Sequence, residues 1–529
     1  MILWLACASA VPTDSEAEPS ALVPLEGAAL ARRISLDVRG VPPSLEELDQ
    51  VEQDPQALRS MTEGWLLQPE HEERLVQVLG DQWLTRVDEF LITPDQADAA
   101  DIEYDWLRAV GEEPLRLMAR VGVSDRPWTE TVTADWTMAE DILLERWPLE
   151  ELESGEGWRL AKYTDGRPAG GVLMSSGLWW RYSTTLNNYN RGRALAVARH
   201  LVCHDFLDRP VDFEGLDEFT TEALLAATRE VPGCVTCHAS VDPIASALFG
   251  FWAFNNKDPY EVTRYHPEKE PLGEHYLGQP PEFFGTPVES AEMLGPTVAA
   301  DPRFTRCAVQ RFSSSFWRRP VDARDMERLD ELEASFEAGD LRLSALLVAI
   351  IETPEYRVGA VLDADDAETP TRRTMRVDQL AASVEQLTGY RWTQGGWDQL
   401  DNDQVGVRLL AGGIDGVVVT DPADDPTLTH ALVLRRLSQA AAAHVVAEDL
   451  DASSRRLLPD GIELLQPSLE EVEEGLVHLH RRIHGLPPEP DLLAADVELF
   501  ERVEEEAGAE QAWASLISVM LRDPRFWTY

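Results

Sequence analysis

Residues 326–336 read MERLDELEASF, a stretch in which apolar side chains recur every three to four positions among acidic ones. The apolar positions are Met326, Leu329, Leu332 and Phe336. This spacing lines one face of an α-helix and predicts an amphipathic helix packed against a core. Residues 472–483, VEEGLVHLHRRI, repeat the pattern, and strand-like alternation is scarce elsewhere. The sequence therefore predicts a mainly α, multi-domain helical protein.

Short recurring motifs mark where these helices begin and end. The pentapeptide PSLEE occurs at 43–47 and again at 467–471, and each copy has the Ser-x-x-Glu spacing of a capping box. Related Pro-aromatic signatures follow other helices, as ETPEY at 352–356, DPRF at 301–304 and RDPRF at 522–526. These recurrences predict re-used helical hairpins with irregular spacing.

Composition shifts divide the chain into five expected segments. They are a signal and tether at 1–25, an N-terminal helical module at 26–151, a central domain at 152–362, an acidic linker at 363–374 and a C-terminal helical module at 375–529. The linker is predicted from the acidic, proline-bearing run DADDAETPT.

The overall charge excludes some functions. The 529 residues carry 46 Lys and Arg against 95 Asp and Glu, a formal charge of −49, which excludes nucleic-acid binding as the main role. With 44% hydrophobic residues the chain has enough apolar material to fold, and no run of 18 apolar residues predicts a membrane span. The acidic surface is either simply solvated or favours a basic partner, such as a small electron-transfer protein.

The N-terminus reads MILWLAC and then becomes polar and acidic. It is typical of the end of a bacterial lipoprotein signal, in which Cys7 becomes the lipidated residue and the following segment a tether. The alternative is an ordinary apolar N-terminus with a chance cysteine.

One pentad carries specific chemistry. Residues 234–238 read CVTCH, the C-x-x-C-H attachment sequence of haem c. Cys234 and Cys237 lie one helical turn apart and suit the two vinyl groups of the porphyrin, and His238 then becomes the proximal ligand of the iron. A structural zinc site completed by Cys203 and His204 is the main alternative, and a disulfide within the pentad is a third. A few residues after the pentad, the dipeptide Asp242-Pro243 predicts a turn or helix end.

Several stretches around the pentad resemble an uncharacterised cytochrome-like family of large exported proteins from planctomycetes and myxobacteria. The resemblance is carried by GGVLMSS at 170–176, NRG at 190–192, HLVC at 200–203, FTRC at 304–307 and RRP at 318–320. Residues 32–43 are similar to a helical module that accompanies such haem domains, and residues 412–420 to a C-terminal element of the myxobacterial members. The resemblance implies one covalent haem c in the central domain and an exported protein.

The family commonly has cysteine at the positions of Cys203 and Cys307. In an oxidising compartment the simplest expectation is that they form a disulfide, the alternative being two buried free thiols.

The distal haem ligand stays open at this stage. Met174 lies in a loop-like stretch where the family has Thr, and Met293 follows His238 by 55 residues but lies on a predicted helix face. Other candidates are histidines, namely His204, His266 and His275.

Nearby residues have two interpretations each. Three arginines either pair with haem propionates or form ordinary ion pairs, and three tryptophans either pack on the porphyrin or belong to the core. These residues are Arg181, Arg191, Arg193, Trp179, Trp180 and Trp252.

No P-loop, HExxH, dinucleotide fingerprint or Ser-His-Asp order stands out, so the sequence offers no support for a kinase, metalloprotease, dehydrogenase or serine hydrolase. We expect an exported, lipid-anchored haem protein in the periplasm or on the outer membrane of a Gram-negative bacterium, transferring single electrons rather than acting as an enzyme. The alternatives are a cell-surface scaffold with structural zinc or haem, and a haem peroxidase or oxidase, which would need an open sixth position.

Overall fold

The structure, a computed structural model, describes residues 22–91, 93–97, 99–208, 220–252, 263–361, 371–402 and 406–529. The expectation of a mainly helical chain with several packing regions is confirmed. Cys7, nearly all of the signal and tether, and most of the predicted linker at 363–374 lie outside the described residues.

The N-terminal part combines helices with a small antiparallel sheet of order β2–β4–β3. The helices are α1 (Gly27–Arg39), α2 (Leu45–Gln53), α3 (Ala57–Trp65), α4 (Pro69–Trp83), α5 (Glu103–Val123), α6 (Glu130–Thr133) and α7 (Asp141–Arg146). The strands are β1 (Leu22–Pro24), β2 (Thr137–Ala139), β3 (Leu149–Glu151) and β4 (Arg159–Tyr163).

The central part is a chain of shorter helices. They are α8 (Ser176–Arg181), α9 (Arg191–Val202), α10 (Thr221–Glu230), α11 (Pro232–Ala247), α12 (Leu272–Leu277), α13 (Ala291–Ala299), α14 (Pro302–Trp317), α15 (Met326–Ala338), α16 (Leu343–Ile351) and α17 (Pro354–Arg357). Its strands are β5 (Glu282–Phe283), β6 (Thr286–Pro287) and β7 (Val358–Val361), the last pairing with β1.

The C-terminal part is helical apart from one short hairpin. Its helices are α18 (Val377–Thr388), α19 (Val407–Leu410), α20 (Leu428–Asp451), α21 (Leu469–His484), α22 (Pro490–Ala507), α23 (Ala509–Arg522) and α24 (Pro524–Trp527). The hairpin strands are β8 (Thr393–Gln394) and β9 (Trp397–Asp398).

The helices predicted from periodicity form, and their apolar stripes are buried. In α15 the side chains of Leu329, Leu332 and Phe336 are buried, whereas Met326 at its first position is half exposed. Both PSLEE motifs form complete capping boxes, in which Ser44 and Ser468 accept the backbone N–H of the glutamate three residues later. Local sequence thus sets the starts of α2 and α21.

Two main cores organise the chain. One contains buried residues from Leu30 to Tyr356, so it includes side chains from both sides of the expected boundary at 151/152. The other contains residues from Met375 to Phe526, and Leu36 of α1 joins it. Helix α1 is therefore shared between the two cores.

Two successive arginines of α1 bind the Pro-aromatic motifs at the ends of the C-terminal and central parts. The guanidinium of Arg32 donates to the carbonyls of Ile483 and Phe526 at 3.1 and 2.6 Å. That of Arg33 donates to the carbonyls of Tyr356 and Val358 at 3.0 and 2.6 Å. Helix α1 thereby connects the end of the C-terminal part to the end of the central part.

Asp37, one turn further along α1, completes this connection. Its buried carboxylate accepts hydrogen bonds from Tyr529 Oη at 2.6 Å, Arg373 Nη1 at 2.6 Å and Tyr356 Oη at 3.0 Å, and Arg318 Nη2 lies 3.5 Å away. Burial raises the pKa of Asp37, but these partners outweigh it and leave the pKa below its usual value. The carboxylate is therefore ionised and joins distant segments of the chain.

A disulfide ties α9 to α14. Cys203 at the end of α9 and Cys307 in α14 are bonded, with their Cα atoms 5.2 Å apart, as predicted. The link joins positions separated by 104 residues.

We expect Asp37→Asn to lower the free energy of unfolding by about 3–5 kcal/mol, because it removes a buried charge on which several arginines depend. Urea denaturation measures the effect. Asp49→Asn, which removes an acid from a partly exposed ion pair with Arg481, is the control and should cost about 0–1 kcal/mol. Equal effects of the two substitutions would contradict the role of Asp37.

We expect Cys203→Ala/Cys307→Ala to lower the free energy of unfolding by about 4–5 kcal/mol, because the unfolded chain loses a constraint on a long loop. Denaturation with and without a phosphine reductant measures this. The reductant should bring the natural chain to the level of the double variant and leave the variant unchanged. If the oxidised natural chain and the variant unfold together, the disulfide does not contribute.

Candidate functional site

The C-x-x-C-H pentad lies on the first half of α11. Pro232 occupies the first turn, where its missing N–H is tolerated, so the Pro-Gly dipeptide begins the helix. Cys234, Cys237 and His238 follow at positions i, i+3 and i+4, which share one helix face. All three are partly exposed, and neither cysteine is in a disulfide, so the third alternative, a Cys234–Cys237 disulfide, is not formed.

The second half of α11 is buried and anchors the pentad. From Val241 to Ala247 each residue is buried, whereas the residues before them are exposed or partly exposed. The neighbours of this helix include α9, α10, α12 and β5. The pentad therefore lies at the surface, on a helix whose second half is anchored in the core.

The key contact of the site is between His238 and Asp242. Nδ1 of His238 lies 2.8 Å from Oδ1 of Asp242, one helical turn away. The side chain of Asp242 is fully buried, and Arg191 binds both of its oxygens, Nε at 2.7 Å and Nη2 at 2.8 Å. Burial raises the pKa of Asp242, but the bonds from Arg191 and His238 outweigh it and keep the pKa below its usual value.

An ionised carboxylate only accepts hydrogen bonds, so Nδ1 of His238 carries the proton in this contact. In the neutral imidazole, Nε2 then holds the lone pair and is the nitrogen suited to a metal. An arrangement in which a carboxylate fixes the tautomer of a histidine is common around metal ligands.

The end of α11 also sets the position of Arg191. Asn190, with a left-handed φ of 63°, precedes α9, and its side-chain amide donates to the carbonyl of Leu248 at 3.0 Å. Arg193 donates to the carbonyl of Phe251 at 2.7 Å. The NRG stretch at 190–192 therefore places Arg191 against Asp242.

The prediction of a turn or helix end at Asp242-Pro243 is wrong. Helix α11 continues through both residues to Ala247. A proline inside a helix costs a hydrogen bond, and the residue before it disfavours helical angles. Here the ion pair with Arg191 and the burial of the following turn hold the helical path.

The arginines and tryptophans near the pentad are engaged within the protein. Arg191 pairs with Asp242, Arg181 donates to the carbonyls of Leu84 and Gly416, and Arg193 donates to backbone carbonyls. The three tryptophans singled out by sequence are buried: Trp179 and Trp252 in the first core, and Trp180 in a smaller apolar cluster with Trp106 and Trp147.

The zinc ligand set built on Cys203 and His204 is not supported. The Cys203 sulfur is bonded to Cys307 and is no longer a thiolate ligand. The ring of His204 packs edge-on against Phe206, with centroids 4.4 Å apart. Within the ranges that the structure describes, no group of three or more His, Cys, Asp or Glu side chains is arranged to hold a metal ion.

Of the distal-ligand candidates, His275 lies on α12, a neighbour of α11, and the two methionines lie on other elements. Met174 is 4% exposed in a 3-10 turn that packs against α6 and α5, and Met293 is 47% exposed on α13. His275 is exposed beside Tyr276, and His266 lies 3.2 Å from a carboxylate oxygen of Glu268. The distal ligand stays a prediction.

Sequence reasoning missed two features, an aromatic group beside the site and a contact within it. Tyr189 stacks on Tyr276 with ring centroids 5.5 Å apart, and Trp252 lies 5.1 Å from the ring of Tyr276. The guanidinium carbon of Arg191 lies 5.9 Å from the centroid of Tyr189, so this aromatic group adjoins the Arg191–Asp242 pair. The His238–Asp242 contact was also missed, although its i, i+4 spacing on a helix is a visible signal.

None of the helices among the described residues is both long and apolar enough to cross a lipid bilayer.

Comparison with known proteins gives one result. Residues 284–356 match a family described as a protein of unknown function (DUF1585). The matched segment contains Cys307 and helices α13 to α17, and it does not include the C-x-x-C-H pentad. The chain matches no curated protein and no solved structure.

Proposed function

We propose that the chain is an exported c-type haem protein that transfers single electrons at the bacterial cell envelope. Cys234 and Cys237 would hold the haem through thioether bonds and His238 would be its proximal ligand. The observation that carries the proposal is the combination of two unpaired cysteines and a histidine on one helix face with the bond from His238 to a buried carboxylate.

These residues fit the group in three respects. Both cysteines are partly exposed and unpaired, so each thiol is accessible for attachment. The bond from Nδ1 to Asp242 leaves Nε2 of His238 for the iron. The helix that carries all three is anchored in the core beyond Val241, which keeps the histidine at a set position relative to the cysteines.

When bound, haem c would supply a one-electron redox couple. The protein's own contribution is the electrostatic setting of His238. Arg191 holds Asp242 ionised, and Asp242 draws on the Nδ1 proton and makes Nε2 more electron-rich. A more electron-rich ligand favours the oxidised metal, so this chain of contacts favours a low midpoint potential.

Compartment and partner are inferred from the rest of the chain. A disulfide between Cys203 and Cys307 suits an oxidising compartment outside the cytosol. The match at 284–356 is to a family often linked to cytochrome-c-like proteins. A charge of −49 would speed encounters with a basic electron-transfer partner.

Covalent haem is the first test. We expect the natural chain, secreted to the periplasm with c-type maturation factors, to retain haem on a denaturing gel and to give a pyridine haemochrome spectrum at one haem per chain. Cys234→Ala/Cys237→Ala should lose it. Val235→Ala, between the two cysteines, is the matched control and should keep it. Absence of haem together with stoichiometric zinc in the natural chain would contradict the proposal and favour a non-redox scaffold.

Asp242→Asn should raise the midpoint potential of the haem protein, because an amide draws less on the Nδ1 proton than a carboxylate does. A tenfold change in the relative stability of the two oxidation states corresponds to about 59 mV for one electron, and spectroelectrochemical titration resolves a shift of that size. Asp205→Asn removes an equal charge from the Arg199 pair in the same region and is the control. Equal shifts in the two variants would show that Asp242 acts only through its charge at a distance.

A further inference from the structure

A cavity of about 250 Å³ lies where the N-terminal, central and C-terminal parts meet. Arg74 of α4, Arg318 at the end of α14 and Arg376 just before α18 all line it. Three segments far apart in sequence therefore each contribute at least one arginine to the same space, and the C-x-x-C-H pentad is not part of its lining.

Four arginines and four aspartates line the cavity, but two of the aspartates, Asp421 and Asp424, are exposed to solvent. Asp37 is buried and is already bound by Arg373 and two tyrosine hydroxyls, and Arg318 Nη2 lies 3.5 Å from its carboxylate. Asp81 also lines the cavity, and burial together with the neighbouring Asp378 raises the pKa of Asp81, which weakens it as a counter-charge.

Two further acids lie at the outer side of the cavity. Asp421 and Asp424 are exposed, so the space opens to solvent there. Asp424 pairs with Arg376 at 3.0 Å. Arg319 also lines the cavity, but its guanidinium is held by Asp325 at 2.6 Å.

The hydrogen bonds of Arg74 and Arg318 go to neutral groups, and Arg318 also lies 3.5 Å from the carboxylate of Asp37. Arg74 Nη1 donates to the side-chain oxygen of Gln77 at 2.9 Å, and its Nε lies 3.4 Å from the backbone carbonyl of Asp37. Arg318 Nη2 donates to Gln379 at 2.9 Å and to Tyr529 at 2.8 Å. The Nε of Arg318 is buried with no hydrogen-bond partner among the described residues.

The arginines also repel one another. Burial and the charge of Arg318 lower the pKa of both Arg74 and Arg376, the latter to about 10. The pKa of Arg318 itself is raised, because Tyr529, Asp37 and Asp81 outweigh its burial. A negative group between the arginines would relieve this repulsion and satisfy free guanidinium donors.

We propose that this cavity binds a small multivalent oxyanion, a phosphate-bearing or polycarboxylate molecule held by Arg74, Arg318 and Arg376. Planar guanidinium groups match the oxygens of either chemistry through paired hydrogen bonds. A cavity of about 250 Å³ suits a compact anion. Because the three arginines belong to three parts of the chain, the anion would also hold those parts together.

Isothermal titration calorimetry on the full chain tests the proposal, with inorganic phosphate and citrate as separate probes and sodium chloride at equal ionic strength as the reference. We expect saturable one-to-one binding of at least one probe, and the two arms show which oxyanion is preferred. Arg74→Gln and Arg376→Gln should each weaken binding about tenfold or more, the loss of one charge-assisted contact. Arg311→Gln, a buried arginine of α14 that donates to the carbonyl of Arg199, is the matched control and should change binding less than about twofold.

A second measurement on the natural chain does not depend on the folding of the variants. Phenylglyoxal labelling read by peptide mass spectrometry should show that the bound probe protects Arg74 and Arg376, while the exposed Arg59 and Arg502 react equally with and without it. The proposal is overturned if neither probe gives saturable binding below about 10 mM. It is equally overturned if a probe binds but both variants bind it normally, or if neither arginine is protected.

Discussion

The buried ionic connection through helix α1 is the constraint on which the arrangement of the whole chain depends. Arg32 binds carbonyls at the end of the C-terminal part, Arg33 binds carbonyls at the end of the central part, and Asp37 binds side chains from both. Charged groups this deeply buried are tolerated only when each is paired or fully hydrogen-bonded. The two cores therefore cannot separate or shift without leaving these charges unpaired, and this fixes how the parts meet.

The same physical device recurs at the C-x-x-C-H pentad. Asp242, like Asp37, is a fully buried carboxylate held ionised by arginine, and each receives its partner from a distant segment. At Asp37 the result is structural, since it joins three parts of the chain. At Asp242 the carboxylate acts on a single imidazole, that of His238, and fixes its proton on Nδ1. The arginine-lined cavity differs from both, because two of its four lining carboxylates lie on the solvent-exposed side and not among the buried guanidinium groups.

Much of the local structure could be predicted because it rests on contacts between near neighbours. The stripe of α15 and the capping boxes at Ser44 and Ser468 form as expected, since period and capping act within a few residues. The Cys203–Cys307 pairing was also predicted, although from resemblance and compartment rather than from local rules. The helix end at Asp242-Pro243 was predicted wrongly, because local propensity carries no information about Arg191, a residue 51 positions away.

By itself the sequence determined the helical class, the helix starts and the pentad, because periodicity, caps and the spacing of two cysteines and a histidine are properties of contiguous residues. Only the tertiary structure decided that α1 belongs to both cores, that Asp242 is the partner of His238 and Arg191, and that Arg74, Arg318 and Arg376 surround one cavity. These depend on where buried charges find partners, and such partners come from segments tens to hundreds of residues apart. Their meeting is set by the packing of the cores and leaves no trace in any single stretch of sequence.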